Sequence, residues 1–345
     1  MRKLLGDKIN LQITGPFLCR DETLYFSRPI GFVGSTPLVP LDWDENHHLK
    51  KQVLWDKQQP CPLVKPSDRN KEDERKDDEI GNYKFRKYLP FTTVQNYLES
   101  GKINRGDWLT EDKTKTEIKP WLVETRSHNA IQEGTRQVKD ADGYFVENAI
   151  RLKEGWSLAI ALNQAIETPA IIQLGGEGHR AILQRVEALD NQWQKLQDLS
   201  MKNFTKGQES FKEGRKEDGK SIAYLVTPGV FERRDSKDKR LSLCSAWPSE
   251  WKLAHAVNSN QKIGPLVSVS TASALPISCR IREKDAPEKS IPAPQVFAAR
   301  PGSLYYLNQP QELFQEVTET KVNVWRQLGY SELFWINYKG DKNHD

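Results

Sequence analysis

Three glycines lie within four positions in the segment Leu174-Gly175-Gly176-Glu177-Gly178-His179-Arg180. Glycine has no Cβ, so this cluster lets the backbone turn sharply and lets another backbone approach closely. The apolar run at 170–173 precedes it and is typical of a buried strand, and two potential cations, His179 and Arg180, end the segment. A glycine loop beside cations can cradle a phosphodiester backbone. The alternative is a tight turn that only connects two elements.

The glycine cluster matches neither of the common nucleotide-binding fingerprints. It lacks the G-x-G-x-x-G spacing, the chain has no G-K-[ST] loop, and Glu177 would repel a pyrophosphate. The chain also has no G-x-S-x-G, no H-E-x-x-H and no acidic metal cluster of recognisable spacing. Its four cysteines are far apart, so we interpret them as reduced thiols of a cytoplasmic protein. The sequence therefore predicts no metal and no cofactor.

The size of the chain favours two domains, because 345 residues is long for one. The hydrophobic content of 37% and the ten tryptophans can fill real cores. No apolar run is long enough for a membrane span, and the first residues lack the apolar stretch of a secretory signal. Residues 201–240 hold 11 Lys or Arg against 7 Asp or Glu, which fits either a phosphate-contacting face or a solvated loop.

The order of predicted elements favours an α+β protein with antiparallel sheets over a parallel Rossmann sheet. Residues 93–99 suggest a short helix with Thr92 as its cap and Gly101 as its end, and Gly15-Pro16 should break the first strand. The run from Ile182 to Leu196 has helical spacing, although its start could equally continue as a strand. The predicted strands lie at residues 8–13, 24–26, 144–146, 156–162, 221–227, 303–307 and 333–338.

A second group of donors lies in the segment 121–139, which we expect to be an irregular polar loop over 121–135. Arg126, His128, Arg136 and Lys139 could donate hydrogen bonds to phosphate and sugar oxygens. The alternative is an exposed loop with ordinary surface charge. Of the six histidines, only His128 and His179 stand among basic residues. Neither has an adjacent motif that would orient it, so contact or packing is favoured over catalysis.

Several segments together resemble one known family. The glycine segment 174–180 resembles the glycine-rich stretch of the RAMP subunit that caps the 5′ handle in type III-B (Cmr) CRISPR effectors. The other matching segments occur in the same order: Gly15-Pro16-Phe17, Leu24-Tyr25-Phe26, Arg126-Ser127-His128-Asn129, Gly143-Tyr144-Phe145, Leu225-Val226-Thr227-Pro228-Gly229-Val230-Phe231, Arg300-Pro301-Gly302-Ser303-Leu304-Tyr305-Tyr306 and Gly329-Tyr330.

The resemblance implies two ferredoxin-like (RRM-like) domains in tandem with long loop insertions. We assign residues 1–200 to the first domain, with a charged insertion at about 65–80. Residues 201–220 are then a polar linker, and 221–345 form the second domain. Such domains offer antiparallel sheets and glycine loops to RNA.

The resemblance also implies a non-catalytic subunit of an antiviral ribonucleoprotein. It would bind the 5′ handle of the crRNA between the large polymerase-like subunit and the first filament subunit. The residues expected at the RNA are Gly175, Gly176, Gly178, His179 and Arg180 on one rim, and Arg126, His128 and Arg136 on a neighbouring loop. Two alternatives remain at this point: a metal-independent RAMP endoribonuclease with His128 or His179 as its base, and a protein scaffold that touches no RNA.

Overall fold

The structure is a computed structural model of the 345-residue chain. It describes residues 11–339 except 56–59, 68–84, 110–118, 139–142, 175–178, 216–218, 235–241, 246–264, 278–279, 283–289, 293–295 and 312–324. Most of the predicted charged insertion, and the first three residues of the predicted strand at 8–13, lie outside the described residues.

The first half of the chain supplies most of its strands in short antiparallel pairs, with short 3-10 turns at 41–43, 48–51 and 105–108. The strands are β1 (Ile13–Arg20), β2 (Thr23–Ser27), β3 (Phe32–Val33), β4 (Thr36–Pro37), β5 (Val39–Pro40), β6 (Leu63–Val64), β7 (Tyr88–Pro90), β8 (Trp121–Asn129), β9 (Tyr144–Leu152), β10 (Trp156–Leu162), β11 (Ala170–Leu174) and β12 (His179–Leu183). The helices are α1 (Phe91–Ser100) and α2 (Glu187–Lys212).

The second half of the chain contributes the strands β13 to β22. They are β13 (Ser221–Leu225), β14 (Phe231–Arg234), β15 (Ser242–Ser245), β16 (Leu266–Ser270), β17 (Leu275–Ile277), β18 (Arg280–Arg282), β19 (Ser290–Pro292), β20 (Val296–Ala298), β21 (Leu304–Leu307) and β22 (Leu333–Asn337). The predicted α+β class is therefore confirmed, with mixed helices and antiparallel sheets.

The first large sheet has the antiparallel order β10-β1-β2-β7. Its inner side chains follow the period of two that a half-buried strand requires: Phe17 and Cys19 of β1 and Leu24 and Phe26 of β2 are all buried. The expectation that Gly15-Pro16 breaks the strand is wrong. β1 continues through it, and the pair produces a register shift between Thr14 and Phe17 against β10, as a bulge does.

The second large sheet has the antiparallel order β16-β21-β13-β22. Its two central strands, β13 and β21, are buried along their whole length. Tyr224 and Tyr306 belong to one hydrophobic cluster, whereas Ala223 and Tyr305 belong to another on the opposite side. Both faces of the sheet centre are thus covered by protein, so bases could not stack there.

Helix α1 begins one residue earlier than its predicted cap. Its N-cap position is Pro90, which makes no side-chain cap hydrogen bond, so the assignment of Thr92 as the cap is wrong. Val94, Tyr97 and Leu98 are buried at spacings of three and four, which places one face of the helix on the core. The helix ends as expected at Gly101, in a left-handed conformation with φ +77.

Helix α2 replaces most of the predicted polar linker. β12 ends at Leu183 and the helix runs from Glu187 to Lys212, so residues 201–212 are helical rather than irregular. The amide of Asn203, within this stretch, donates to the carbonyl oxygens of Leu98 (2.8 Å) and Trp335 (2.9 Å). The stretch thus connects α1 with β22 and is a structural part of the fold.

The two halves of the chain share one hydrophobic core. Both helices contact β2 of the first sheet and β22 of the second. The largest buried cluster accordingly combines Phe26 and Tyr97 from the first half with Tyr224, Tyr306 and Phe334 from the second. The division into domains at 201–220 stays a prediction, in which the two domains would share this cluster.

Gly302 lies at a close backbone approach between the halves. Ile30 N–H donates to its carbonyl oxygen (2.8 Å), and its own N–H donates to the carbonyl of Leu225 (2.7 Å). Its φ is +97, and a Cβ at this position would lie 2.3 Å from the carbonyl oxygen of Arg28. Only glycine fits here without a backbone shift.

We predict that Gly302→Ala lowers the free energy of unfolding by at least about 2 kcal/mol, because it adds both a left-handed strain and a backbone clash. Gly134→Ala is the matched control, since Gly134 has φ +75 but open space around its Cβ position. It should cost only about 1 kcal/mol. Urea unfolding of the full chain measures both, and equal losses would contradict the role given to the close approach.

Candidate nucleic-acid interface

The predicted donor loop is largely a β-ribbon. Residues 121–129 form β8, which pairs with β9 at nine consecutive positions from Trp121↔Leu152 to Asn129↔Tyr144. The expectation of an irregular segment at 121–135 is therefore wrong over 121–129. Most side chains on both faces of the ribbon are exposed. A strand without a buried face has no need for apolar alternation, so the sequence carries no such signal.

Arg126 is engaged within the ribbon. Its guanidinium lies 3.0 Å from Oε2 of Glu124, whose Oε1 lies 2.7 Å from Nε of Arg151. The hydrogen bond from Arg126, and then the charge of Arg151, lowers the pKa of Glu124 below its ordinary value. A phosphate that approached Arg126 would have to compete with this carboxylate.

His128 lies on the same face of the ribbon as Arg126, two residues further along β8. Its Nε2 is 3.1 Å from Oε2 of Glu147, and its ring stacks on Phe145 with a centroid distance of 5.0 Å and an interplanar angle of 13°. An ionised carboxylate only accepts hydrogen bonds, so Nε2 carries the proton in this contact. The ring is thus oriented by contacts inside the ribbon.

Arg136 lies at the tip of the ribbon, in the turn that connects the strands. The turn is ordered by the bond from Gln132 N–H to the Gln137 carbonyl (2.9 Å) and by the left-handed Gly134. The Arg136 side chain is exposed and has no acidic partner within the described ranges. Lys139 falls in the undescribed segment 139–142.

The glycine cluster connects the two strands of a second hairpin, β11 and β12, which pair from Ala170↔Leu183 to Leu174↔His179. Gly175, Gly176 and Gly178 themselves lie outside the described residues. The interpretation of residues 170–173 as a buried strand is wrong, because Ile171 is 68% exposed. A two-stranded hairpin without a covering layer leaves this side chain in solvent.

His179 and Arg180 point to opposite faces of this hairpin, because successive residues of a strand alternate. Arg180 shares its face with Gln173, opposite it on β11, whereas His179 pairs with Leu174. Arg180 is exposed and makes no ion pair with any acidic residue that the structure describes. Among the described residues, the two hairpins form separate two-stranded sheets without a strand pairing between them. Their convergence on one RNA strand therefore stays a prediction.

The outer face of the first large sheet carries an aromatic pair whose second member, Trp156, was not singled out from the sequence. Tyr25 of β2 and Trp156 of β10 have ring centroids 5.0 Å apart, and the guanidinium of Arg20 lies 6.0 Å from the Trp156 centroid. All three are on the face opposite the buried Phe17 and Phe26. In the sequence, Trp156 alternates with residues of the other face of its strand. A strand prediction alone does not show which of these alternating side chains has a functional role.

A groove of about 380 Å³ lies where the two halves meet. It contains two cations, Arg28 and Lys87, and no acidic side chain lines it. The Arg28 guanidinium is held over the Trp108 ring at 4.8 Å and donates to the Gly34 carbonyl (2.9 Å). The lining residues are Ser27, Arg28, Pro29, Ile30, Phe32, Lys87, Tyr88 and Pro301.

Two further properties bear on the chemistry of the chain. No cluster of three or more His, Cys, Asp or Glu side chains that could hold a metal ion occurs among the residues described. Across the same part of the chain, no helix combines the length and the apolar character needed to cross a membrane.

A family model for CRISPR-associated protein (Cas_Cmr3) matches residues 4–338, which is nearly the whole chain. The chain belongs to the Cmr3 family. This confirms the resemblance to a type III-B Cmr family, whose members are subunits of a multi-subunit CRISPR effector complex. No curated protein matches the sequence significantly.

We predict that Glu124→Gln strengthens binding of the Cmr3-family chain to single-stranded RNA by about two- to five-fold at low salt, because it releases Arg126 and Arg151. Glu99→Gln changes the net charge equally on helix α1, which packs against β2, β7 and β22. Fluorescence anisotropy with labelled RNA compares the two. An equal gain for both variants would show that only net charge matters and that the ribbon cations play no special part.

Proposed function

We propose that this chain is the crRNA-binding subunit of a type III-B effector and holds the 5′ handle of the guide. The observation that carries the proposal is the position of Arg136 and Arg180 at or near the ends of two projecting hairpins. Both side chains are exposed, and neither has an acidic partner in the described part of the chain. Free cations on extended arms are suited to contact a phosphodiester backbone.

The large sheets differ in what they offer to unpaired bases. The centre of the second sheet is covered on both faces, so it lacks the open surface on which an RRM stacks bases. The outer face of the first sheet instead presents Tyr25 and Trp156 beside Arg20. Stacking on such aromatic side chains is worth about 1–3 kcal/mol per base. We therefore assign base contacts to the first sheet and phosphate contacts to the hairpins.

The strand order of each large sheet bears on the predicted ferredoxin-like fold. In chain order, the strands of the second sheet are arranged 2-3-1-4, and all pairs are antiparallel. This is the strand order of a ferredoxin-like sheet. The strands of the first sheet are arranged 4-1-2-3, so that sheet departs from the simple pattern. We propose that the second half is ferredoxin-like and that the first is a modified version.

The partners follow from the resemblance and from the family. As the subunit at the 5′ end of the guide, the chain would bridge the large polymerase-like subunit to the first filament subunit. The surface available for this is large, because both hairpins project without a covering layer of the chain's own described residues. We place the protein in the cytoplasm with its effector.

We further propose that the subunit is not catalytic. The side chain of His128 contacts Glu147 and Phe145, and neither could stabilise the charge that develops on a phosphate during cleavage, which a ribonuclease site must do. Arg126 shares its face, but the guanidinium of Arg126 is paired with the carboxylate of Glu124. His179, the other candidate base, lies in a different sheet.

The RNA assignment is tested by the salt dependence of guide binding in the assembled complex. Arg136→Gln and Arg180→Gln should each weaken binding and reduce the slope of log K against log salt by about 0.7 per lost phosphate contact. Arg185→Gln is the matched control, because Arg185 is similarly exposed but already paired with Asp190 at 2.8 Å. Unchanged slopes for both test variants would remove these arginines from the interface.

The non-catalytic assignment is tested by incubating the purified protein with repeat RNA and chelator. We expect intact RNA after incubation with either the wild-type protein or His128→Ala. Cleavage that disappears in His128→Ala or His179→Ala would establish the endoribonuclease instead. Retained structure in both variants is checked by circular dichroism, so that a loss of cleavage cannot be attributed to unfolding.

A further inference from the structure

The β8–β9 ribbon has two faces of different chemistry. We call the first the charged face, and its cross-strand pairs are Leu122↔Arg151, Glu124↔Ala149, Arg126↔Glu147 and His128↔Phe145. We call the other the uncharged face, and its pairs are Trp121↔Leu152, Val123↔Ile150, Thr125↔Asn148, Ser127↔Val146 and Asn129↔Tyr144. Every ionisable acid, arginine and histidine of the two strands therefore lies on one side.

The uncharged face is exposed although much of it is apolar. Val123, Tyr144, Val146 and Ile150 are 62%, 63%, 50% and 67% exposed. Exposed apolar residues that are contiguous, rather than scattered singly, mark interaction sites on soluble proteins. They form two apolar patches, Val123 with Ile150 and Val146 with Tyr144, and the polar pair Thr125 and Asn148 lies between the patches. We call this whole face, with both patches and the polar pair between them, the strip.

The polar groups of the uncharged face satisfy one another. The Thr125 hydroxyl donates to Oδ1 of Asn148 (3.0 Å), and the hydroxyls of Ser127 and Tyr144 are 3.1 Å apart. Groups already paired in this way lose less when water is removed from them. The face is therefore suited to a dry contact.

The charge distribution distinguishes between the possible occupants of the strip. An RNA strand requires cations or free donors at its phosphates, and this face carries no charged side chain. The chemistry complementary to the strip is an uncharged, partly apolar protein surface.

The size of the strip excludes a free-standing dimer. Nine paired residues at about 3.4 Å each give a length of about 30 Å, and two strands give a width of about 10 Å. The strip thus covers about 300 Å², well below the about 800 Å² per partner of a stable, independent interface. It is large enough only as one part of a contact whose partner is held elsewhere as well.

We propose that the uncharged face of the ribbon docks on an uncharged, partly apolar surface of another protein subunit of the same effector. The ribbon then acts as an arm whose contact adds to others within the assembly. The proposal needs only the family's membership of a multi-subunit complex, and it stands whether or not the chain binds RNA.

Photo-crosslinking in the intact, purified complex tests this. Val146 and Phe145 are adjacent and equally exposed, at 50% and 51%, but lie on opposite faces. We expect p-benzoylphenylalanine at position 146 to crosslink to a different protein subunit at least five-fold more than the same group at position 145. A crosslink from 146 to RNA, a crosslink to a second copy of this chain, or none at all in the intact complex would overturn the proposal.

A second pair of variants measures the energetic contribution of the strip. Ile150→Glu places a charge on the uncharged face, whereas Leu122→Glu makes the corresponding change on the charged face of the same ribbon. Ile150→Glu should reduce retention of the chain in the complex at least three-fold more than Leu122→Glu. Both isolated chains should show the wild-type circular dichroism spectrum. Equal retention of the two folded variants would contradict the docking role.

Discussion

The packing of both helices against both large sheets determines which surfaces of this protein remain free. Helices α1 and α2 contact β2 and β22, and the side chain of Asn203 binds backbone carbonyls on α1 and β22 at once. The buried tyrosines Tyr97 and Tyr224 lie within this core, where desolvation raises the pKa of each phenol well above its ordinary value. The centre of the second sheet is covered on both faces, whereas the two hairpins and the outer face of the first sheet present exposed side chains.

The hairpins are stabilised by local pairing, since no element of the described chain forms a layer over them. In the β8–β9 ribbon, hydrogen bonds and ion pairs within and between the strands satisfy most polar side chains. The cations of the strands are therefore neutralised, while Arg136 at the turn has no such partner in the described chain. Exposed ion pairs are individually weak, about 0.2–1 kcal/mol, so their main effect here is on the local charge rather than on stability.

The elements that were predicted correctly from the sequence are those in which burial makes apolar side chains recur in a recognisable pattern. The strands predicted at 24–26, 303–307 and 333–338 were recognised because their buried positions are apolar. Helix α2 was missed beyond Met201 because its buried residues there, Gly207 and Ser210, are small or polar. Glycine is needed at 207 because a Cβ would lie 2.8 Å from Pro310. Close packing of this kind does not appear in a hydrophobicity pattern.

In the candidate site, residues that are close in sequence do not always lie on the same face. Arg126 and His128 are two residues apart and share a face, so one ligand could meet both. His179 and Arg180 are adjacent and face opposite ways, so a strand that passes one side of that hairpin meets only one of them. The pairing register, which depends on both strands of each hairpin, decides this. A motif in the sequence of one strand could identify these four residues as candidates, but it could not show which of them lie on the same face.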